Sequence, residues 1–141
     1  MKTGKIIHLL DAMFEETKEN GNKICSSAIN MGVWRCQQMG YMNEYSFIPF
    51  KSGPFCKNIN GALWFSAMIG FISVHNGDVK SNGLNKKKMI EDIKLKIPDN
   101  EKKAVKKIVK DMKVEGLLTN KEKISDYWKK EYDNIKWQTL P

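Results

Sequence analysis

The stretch Phe71-Ile-Ser-Val-His-Asn-Gly-Asp-Val-Lys80 decides the architecture. Residues 71–75 carry the alternation of a short half-buried strand. Asn76-Gly77 follows as a strong hairpin signal, because a two-residue turn needs left-handed backbone at both positions and Asn and Gly adopt it readily. Asp78-Val79-Lys80 returns as a second strand, and Ser81-Asn82-Gly83 makes another turn. A small β-hairpin is expected here.

Three helical segments precede it. In residues 5–19, Ile6, Leu9, Leu10, Met13, Phe14 and Thr17 recur at spacings of three and four, and Asn20-Gly21-Asn22 ends the segment. His8 lies beside this stripe as a core-edge histidine. Residues 23–39 give a second helix, with Ile24, Ala28, Met31, Trp34 and Cys36 inward and Gly40 as its stop. Residues 41–52 read as an irregular aromatic connector, since Pro49 blocks regular helix. Ser52-Gly53-Pro54 opens a third helix, where a proline suits the first turn. Phe55, Ile59, Ala62, Leu63, Ser66 and Ile69 form its inner face, and Gly70 takes the C′ position. Helix, helix, helix, hairpin is the outline of a winged helix. The expected fold is mostly α with a small β-hairpin, a winged-helix-like helical domain.

Downstream, Asn85 caps a helix to about residue 96, with Met89, Ile90, Ile93 and Ile97 inward. Pro98-Asp99-Asn100 breaks the chain and caps the next helix, residues 101–115, with Ala104, Val105, Ile108, Val109 and Met112 on one face. Thr119 and Glu122 fit a capping box for a last amphipathic helix carrying Ile124, Tyr127, Trp128, Glu131 and Ile135. Trp137 and Leu140 finish a docked tail. The 141 residues suit one domain, 1–141, with a winged-helix-like part at 1–80 and a helical part at 85–141.

Charge narrows the partner. Lys+Arg is 24 against 16 Asp+Glu, a net +8. Residues 1–70 carry seven basic and five acidic groups, and residues 71–141 carry seventeen and eleven, so the excess lies in the second half. Only Arg35 is an arginine. Lysine meets phosphate as a point charge, while base reading favours the arginine fork. The longest mostly apolar stretch, residues 61–72, is too short to span a bilayer. No apolar leader core follows Lys2, so a cytoplasmic protein with reduced thiols is expected. Cys25, Cys36 and Cys56 fit no zinc spacing. There is no phosphate loop, HExxH, CxxC or nucleophile-elbow pattern. No catalytic residue, metal or cofactor is expected.

Three features suit binding. At the end of the second helix, Arg35, Gln37, Gln38 and Tyr41 are types that pair with base edges, and they equally suit a polar protein interface or a plain helix end. The hairpin with Lys80, Lys86, Lys87 and Lys88 is either a phosphate-touching wing or an exposed basic turn. The lysine face of residues 102–113, interleaved with Glu101 and Asp111, is a solvated face or a fit for an acidic partner. Trp34, Tyr41, Tyr45, Tyr127, Trp128 and Trp137 are candidate aromatic anchors or core residues.

Residues 50–72, Phe-Lys-Ser-Gly-Pro-Phe-Cys-Lys-Asn-Ile-Asn-Gly-Ala-Leu-Trp-Phe-Ser-Ala-Met-Ile-Gly-Phe-Ile, resemble the signature of the Panacea (SocA-like antitoxin) and YwgA-like families. The resemblance covers roughly the first 75 residues. It implies an α-rich, winged-helix-like fold without an active site, acting by protein contact as an antitoxin. It implies structural roles for Gly53, Pro54 and Phe55 as a helix start, Ile59 and Leu63 as core anchors, and Gly70 as a helix stop. The expected function is therefore a non-enzymatic regulatory binding protein, antitoxin- or inhibitor-like, docking on a protein partner such as a toxin or a host defence nuclease; in the latter case the chain would belong to a phage or mobile element. The alternative is a winged-helix DNA-binding protein or transcriptional regulator that sets the second or third helix in a groove and a basic wing on phosphates.

Overall fold

The computed structural model describes residues 2–43, 45, 47–50, 53–68, 70–82 and 87–134. In chain order these form α1 (Lys2–Glu15), a 3-10 turn (Lys18–Asn20), β1 (Lys23–Cys25), α2 (Ser26–Gln38), β2 (Ile48–Phe50), β3 (Gly53–Phe55), α3 (Lys57–Met68), β4 (Ile72–His75), β5 (Asp78–Ser81), α4 (Lys87–Leu95), α5 (Asp99–Val114) and α6 (Lys121–Asn134). The fold is mostly α with a small antiparallel sheet. No helix among the described residues is long and apolar enough to cross a membrane.

The hairpin forms as its turn residues dictate. Val74 pairs with Val79 and His75 with Asp78. Asn76 has φ 50° and Gly77 has φ 82°, the left-handed pair that a type I′ turn requires. A third strand corrects the expectation of helix from residue 23. Left-handed Gly21 and Asn22 turn the chain. Residues 23–25 then run beside β5, with Lys23 opposite Lys80, Ile24 opposite Val79 and Cys25 opposite Asp78. The strand is too short to show a period of its own; burying Ile24 against Val79 decides it. The sheet order β1-β5-β4, with β1 between the first two helices, is the winged-helix arrangement.

The connection from α2 to α3 departs from the expected irregular segment and from a helix opening at Pro54. β2 and β3 pair with Ile48 opposite Phe55, Pro49 opposite Pro54 and Phe50 opposite Gly53. Neither proline has an N–H to donate, so they suit a pair on a two-stranded ribbon where none is needed. Gly53, Pro54 and Phe55 are thus strand residues, and α3 starts at Lys57. Ser52 and Ile69 lie outside the described residues. Ile59 is fully buried and Leu63 packs at the core edge. Gly70, at φ 81°, closes α3 in a Schellman motif: its N–H reaches the carbonyl of Ala67 and that of Phe71 reaches Ser66, both at 3.0 Å.

α1 is the hub, packing on α2, α3, α4, α5 and β1. Ile6, Leu9, Leu10 and Met13 are fully buried, and Ile7 and Ala12 widen the buried face beyond a stripe. α1 stops at Glu15, four residues earlier than its period suggests. There Thr17 donates its hydroxyl back to the Met13 carbonyl at 3.0 Å, and a 3-10 turn follows. α2 approaches closely because of Gly32, where a Cβ would lie 2.7 Å from Met13 Cε. Met13 ends in a flexible methyl and alanine is the better helix former, so Gly32→Ala should stay within about 1 kcal/mol of the wild type. Gly32→Leu should cost about 3 kcal/mol through overpacking. Denaturant midpoints of the two variants check this pair.

Two helix starts differ from expectation. α5 opens after Pro98 with no side-chain cap, and Asn100 lies inside its first turn. α6 is capped by Asn120, whose Oδ1 accepts the N–H of Lys123 at 3.1 Å, rather than by Thr119. The helix begins at Lys121, which places Asn120 at the capping position. One apolar core joins Ile6 and Leu10 to Ile59, Val79, Val109, Ile124 and Trp128, so α5 and α6 share it with the winged-helix part. Gly83, Asn85, Lys86, Ile135, Trp137 and Leu140 lie outside the described residues.

Candidate functional site

At the end of α2, three of the four expected binding residues are engaged within the fold. Arg35 donates from Nη1 and Nη2 to Glu115 Oε2 and Oε1, at 2.6 and 3.0 Å, and lies over the Tyr127 ring at 4.6 Å. Burial opposes its charge, but Glu115 and Tyr127 outweigh this and hold the guanidinium above its ordinary pKa. Gln37 Nε2 donates to the carbonyls of Met42 and Tyr45, stapling the following loop. Tyr41 packs half-buried against the core, and Gln38 alone is exposed. Of the readings open at this helix end, the arrangement fits a plain helix end best, since Arg35 already directs its fork at a carboxylate. Trp34, Tyr45 and Trp128 are buried and present no anchor to a partner, while Tyr127 is half-buried beneath Arg35.

The wing is exposed from Ser73 to Gly77. Lys80 is also exposed, opposite Ser73 and Lys23 across the sheet. Lys23 lies 3.8 Å from Asp78, a weak surface pair. Lys87 and Lys88 open α4, and their side chains, like Lys86, lie outside the description. α3, the helix that a winged helix would set in a groove, exposes Asn58, Asn60 and Gly61 among its described side chains, with no charge.

α5 carries the strongest surface feature. Lys103, Lys106, Lys107 and Lys110 are exposed at spacings of three and four, so they form one stripe. Among the described residues none of them makes an ion pair. Lys102 and Lys113, on either side, are held by Asp99 and Glu19, both at 3.1 Å. Val105, Ile108, Val109 and Met112 bury the opposite face, so the stripe stands on a fixed backbone. It spans about 10 Å along the helix.

Glu101 is not part of the wet face expected for it. It is buried and pairs with Lys5 at 3.2 Å. Its place four residues before Val105, on the apolar face, is the signal that marks it. His8 is buried, as its position beside the α1 stripe suggests, yet neither ring nitrogen has a hydrogen-bond partner.

All three thiols are buried. Burial pushes Cys25 up and Cys36 to about 12. A thiol that ionises so reluctantly is a poor nucleophile and a poor metal ligand. No group of three His, Cys, Asp or Glu among the described residues is placed to hold a metal ion. Iodoacetamide should therefore leave Cys25 and Cys36 unmodified for hours at pH 8 in the native protein and label them within minutes in denaturant. Mass spectrometry of the alkylated chain checks this.

Compared with protein-family models, curated proteins and solved structures, the chain matches none.

Proposed function

We propose that the chain is a non-enzymatic regulatory binding protein of antitoxin or inhibitor type, which docks its α5 face on an acidic surface of a protein partner. The observation that carries this reading is the stripe of four lysines without ion pairs among the described residues, Lys103, Lys106, Lys107 and Lys110, on a helix whose opposite face is buried. Complementary charge steers association and fixes orientation. A stripe about 10 Å long matches a short acidic segment or helix face better than a phosphate track along a duplex. The antitoxin form of the reading rests on the resemblance of residues 50–72. A partner of the toxin or defence-nuclease kind is its narrower form.

A second reading, winged-helix DNA binding, is favoured by the sheet order and by Lys80 on the wing. The lack of charge among the described exposed side chains of α3, Asn58 and Asn60, and the engagement of Arg35 by Glu115 weigh against it.

Titration of random duplex DNA at about 50 and 200 mM salt separates the two. Docking on protein predicts no sub-micromolar duplex binding at the lower salt. Sub-micromolar binding that collapses at the higher salt, and that is lost when Lys80, Lys86, Lys87 and Lys88 become alanine, would replace this reading with the DNA one.

A further inference from the structure

The walls of α1, α4 and α5 enclose a cleft of about 370 Å³. That volume lies in the range of small-ligand sites, roughly 300–1,000 Å³. Its lining includes His8, Asp11 and Glu15 from α1, Glu16 just beyond its end, Lys94 from α4, and Lys106 and Lys110 from α5. Asp11 and Lys94 neutralise each other at 2.7 Å. Glu15 pairs with Lys18 of the 3-10 turn at 3.0 Å, and both side chains are exposed. Among the described residues Glu16, Lys106 and Lys110 make no ion pair. Two carboxylates on one wall thus share a cleft with two ammonium groups on the other. The packing of α1 on α5 holds the two backbones in place, so the walls keep their charges on opposite sides.

A second observation is independent of these charges. His8 lines the same cleft, is 2% exposed, and has no hydrogen-bond partner at either ring nitrogen. A buried imidazole left in that state lacks the partners that buried polar groups normally have.

We infer that this cleft binds a small zwitterion of amino-acid type, with its carboxylate toward Lys106 and Lys110 and its ammonium toward Glu15 and Glu16, beside the His8 ring. A simple anion fits less well, because it would meet two carboxylates as well as the lysines. A simple cation meets the converse difficulty. The site is separate from the protein-docking reading, although Lys106 and Lys110 belong to both surfaces. Lys103 and Lys107 belong only to the stripe, and Glu16 only to the cleft.

The probes are the standard L-amino acids, tested singly by calorimetry against acetate and methylammonium. At least one amino acid should saturate at one per chain, and the two single-charge probes should bind at least about tenfold more weakly. Glu16→Gln and Lys106→Ala should each weaken that binding by about tenfold, with the thermal midpoint of the free protein unchanged. Lys103→Ala should leave it unaltered. The chain has only 2 histidines, so ring-nitrogen spectra are readily assigned. Ligand should move the His8 signals and leave those of His75 in place. Absence of saturable binding by every amino acid would overturn the inference. So would acetate binding as well as the amino acid, or binding that leaves the His8 signals or the two cleft variants unaffected. None of these outcomes bears on capture of a protein by Lys103 and Lys107.

Discussion

Trp128→Ala should lower stability by about 3–5 kcal/mol, a large share of what a domain of this size has. Trp128 is fully buried, and its ring meets that of Trp34 edge to face, with centroids 5.1 Å apart. On α6 only Ile124 and Trp128 are buried among the described side chains. Truncation therefore removes one of those two anchors together with its transfer energy. Trp34 sits on α2, which β1 and α5 also hold, and it cannot swing to fill the space. Trp128→Phe keeps an aromatic face and should cost about half as much. Urea unfolding followed by far-ultraviolet circular dichroism measures both variants without relying on tryptophan emission. A loss under about 1 kcal/mol for the alanine variant would mean that α6 is not held to the core as described.

The second large effect depends on pH. Burial first, and then the charge of Lys94, lower the His8 pKa from 6.5 to about 4. Lys106 and Lys102 act in the same direction and Asp11 opposes them. On its other side His8 faces Lys5 and Glu101. The unfolded chain takes up its proton near pH 6.5, whereas the folded chain does so only near pH 4. Between those values the unfolded state binds more protons, so stability falls as the pH falls through this window. It is unaffected by this group above the window, and the loss levels off below it. The full span amounts to about 3 kcal/mol. Carboxylates titrate in the same range, so the measurement is a difference: the wild type should lose about 3 kcal/mol more than His8→Leu between pH 7 and pH 4. Parallel pH profiles for the two proteins would show that the imidazole charges freely in the fold.

What was legible in the sequence was local. The Asn76-Gly77 turn, the apolar period of α1 and α5, and the stop at Gly70 depend on residues a few positions apart, and each lies where those residues put it. β1 was not legible, because Lys23, Ile24 and Cys25 show no period and become a strand only when β5 arrives beside them. The β2–β3 ribbon was hidden for a similar reason. Gly53-Pro54 suits a helix start as well as a strand, and the pairing with Pro49 and Phe50 decides between them.

The surface was less legible than the fold. Arg35, Gln37 and Tyr41 have the composition of a recognition site. Yet Glu115, Met42 and Tyr45 engage the first two from elsewhere in the chain, and Tyr41 turns toward the core. The lysines of α5 were visible as a face, but which of them lack counter-ions depends on Asp99 and on Glu19. The α1–α4–α5 cleft has no sequence signature at all, since its walls come from segments far apart in the chain.

Docking of the α5 stripe on a protein partner can be tested at the stripe itself. The direct measurement compares capture from a lysate of the cells that make this protein, using the wild type and Lys103→Glu/Lys107→Glu as baits at equal folded concentration. One protein should be recovered in stoichiometric amount with the wild type and lost with the double variant, with a segment of clustered Asp and Glu cross-linking to Lys103 or Lys107. Equal recovery by both baits, or a cross-link that maps to the wing instead, would contradict it.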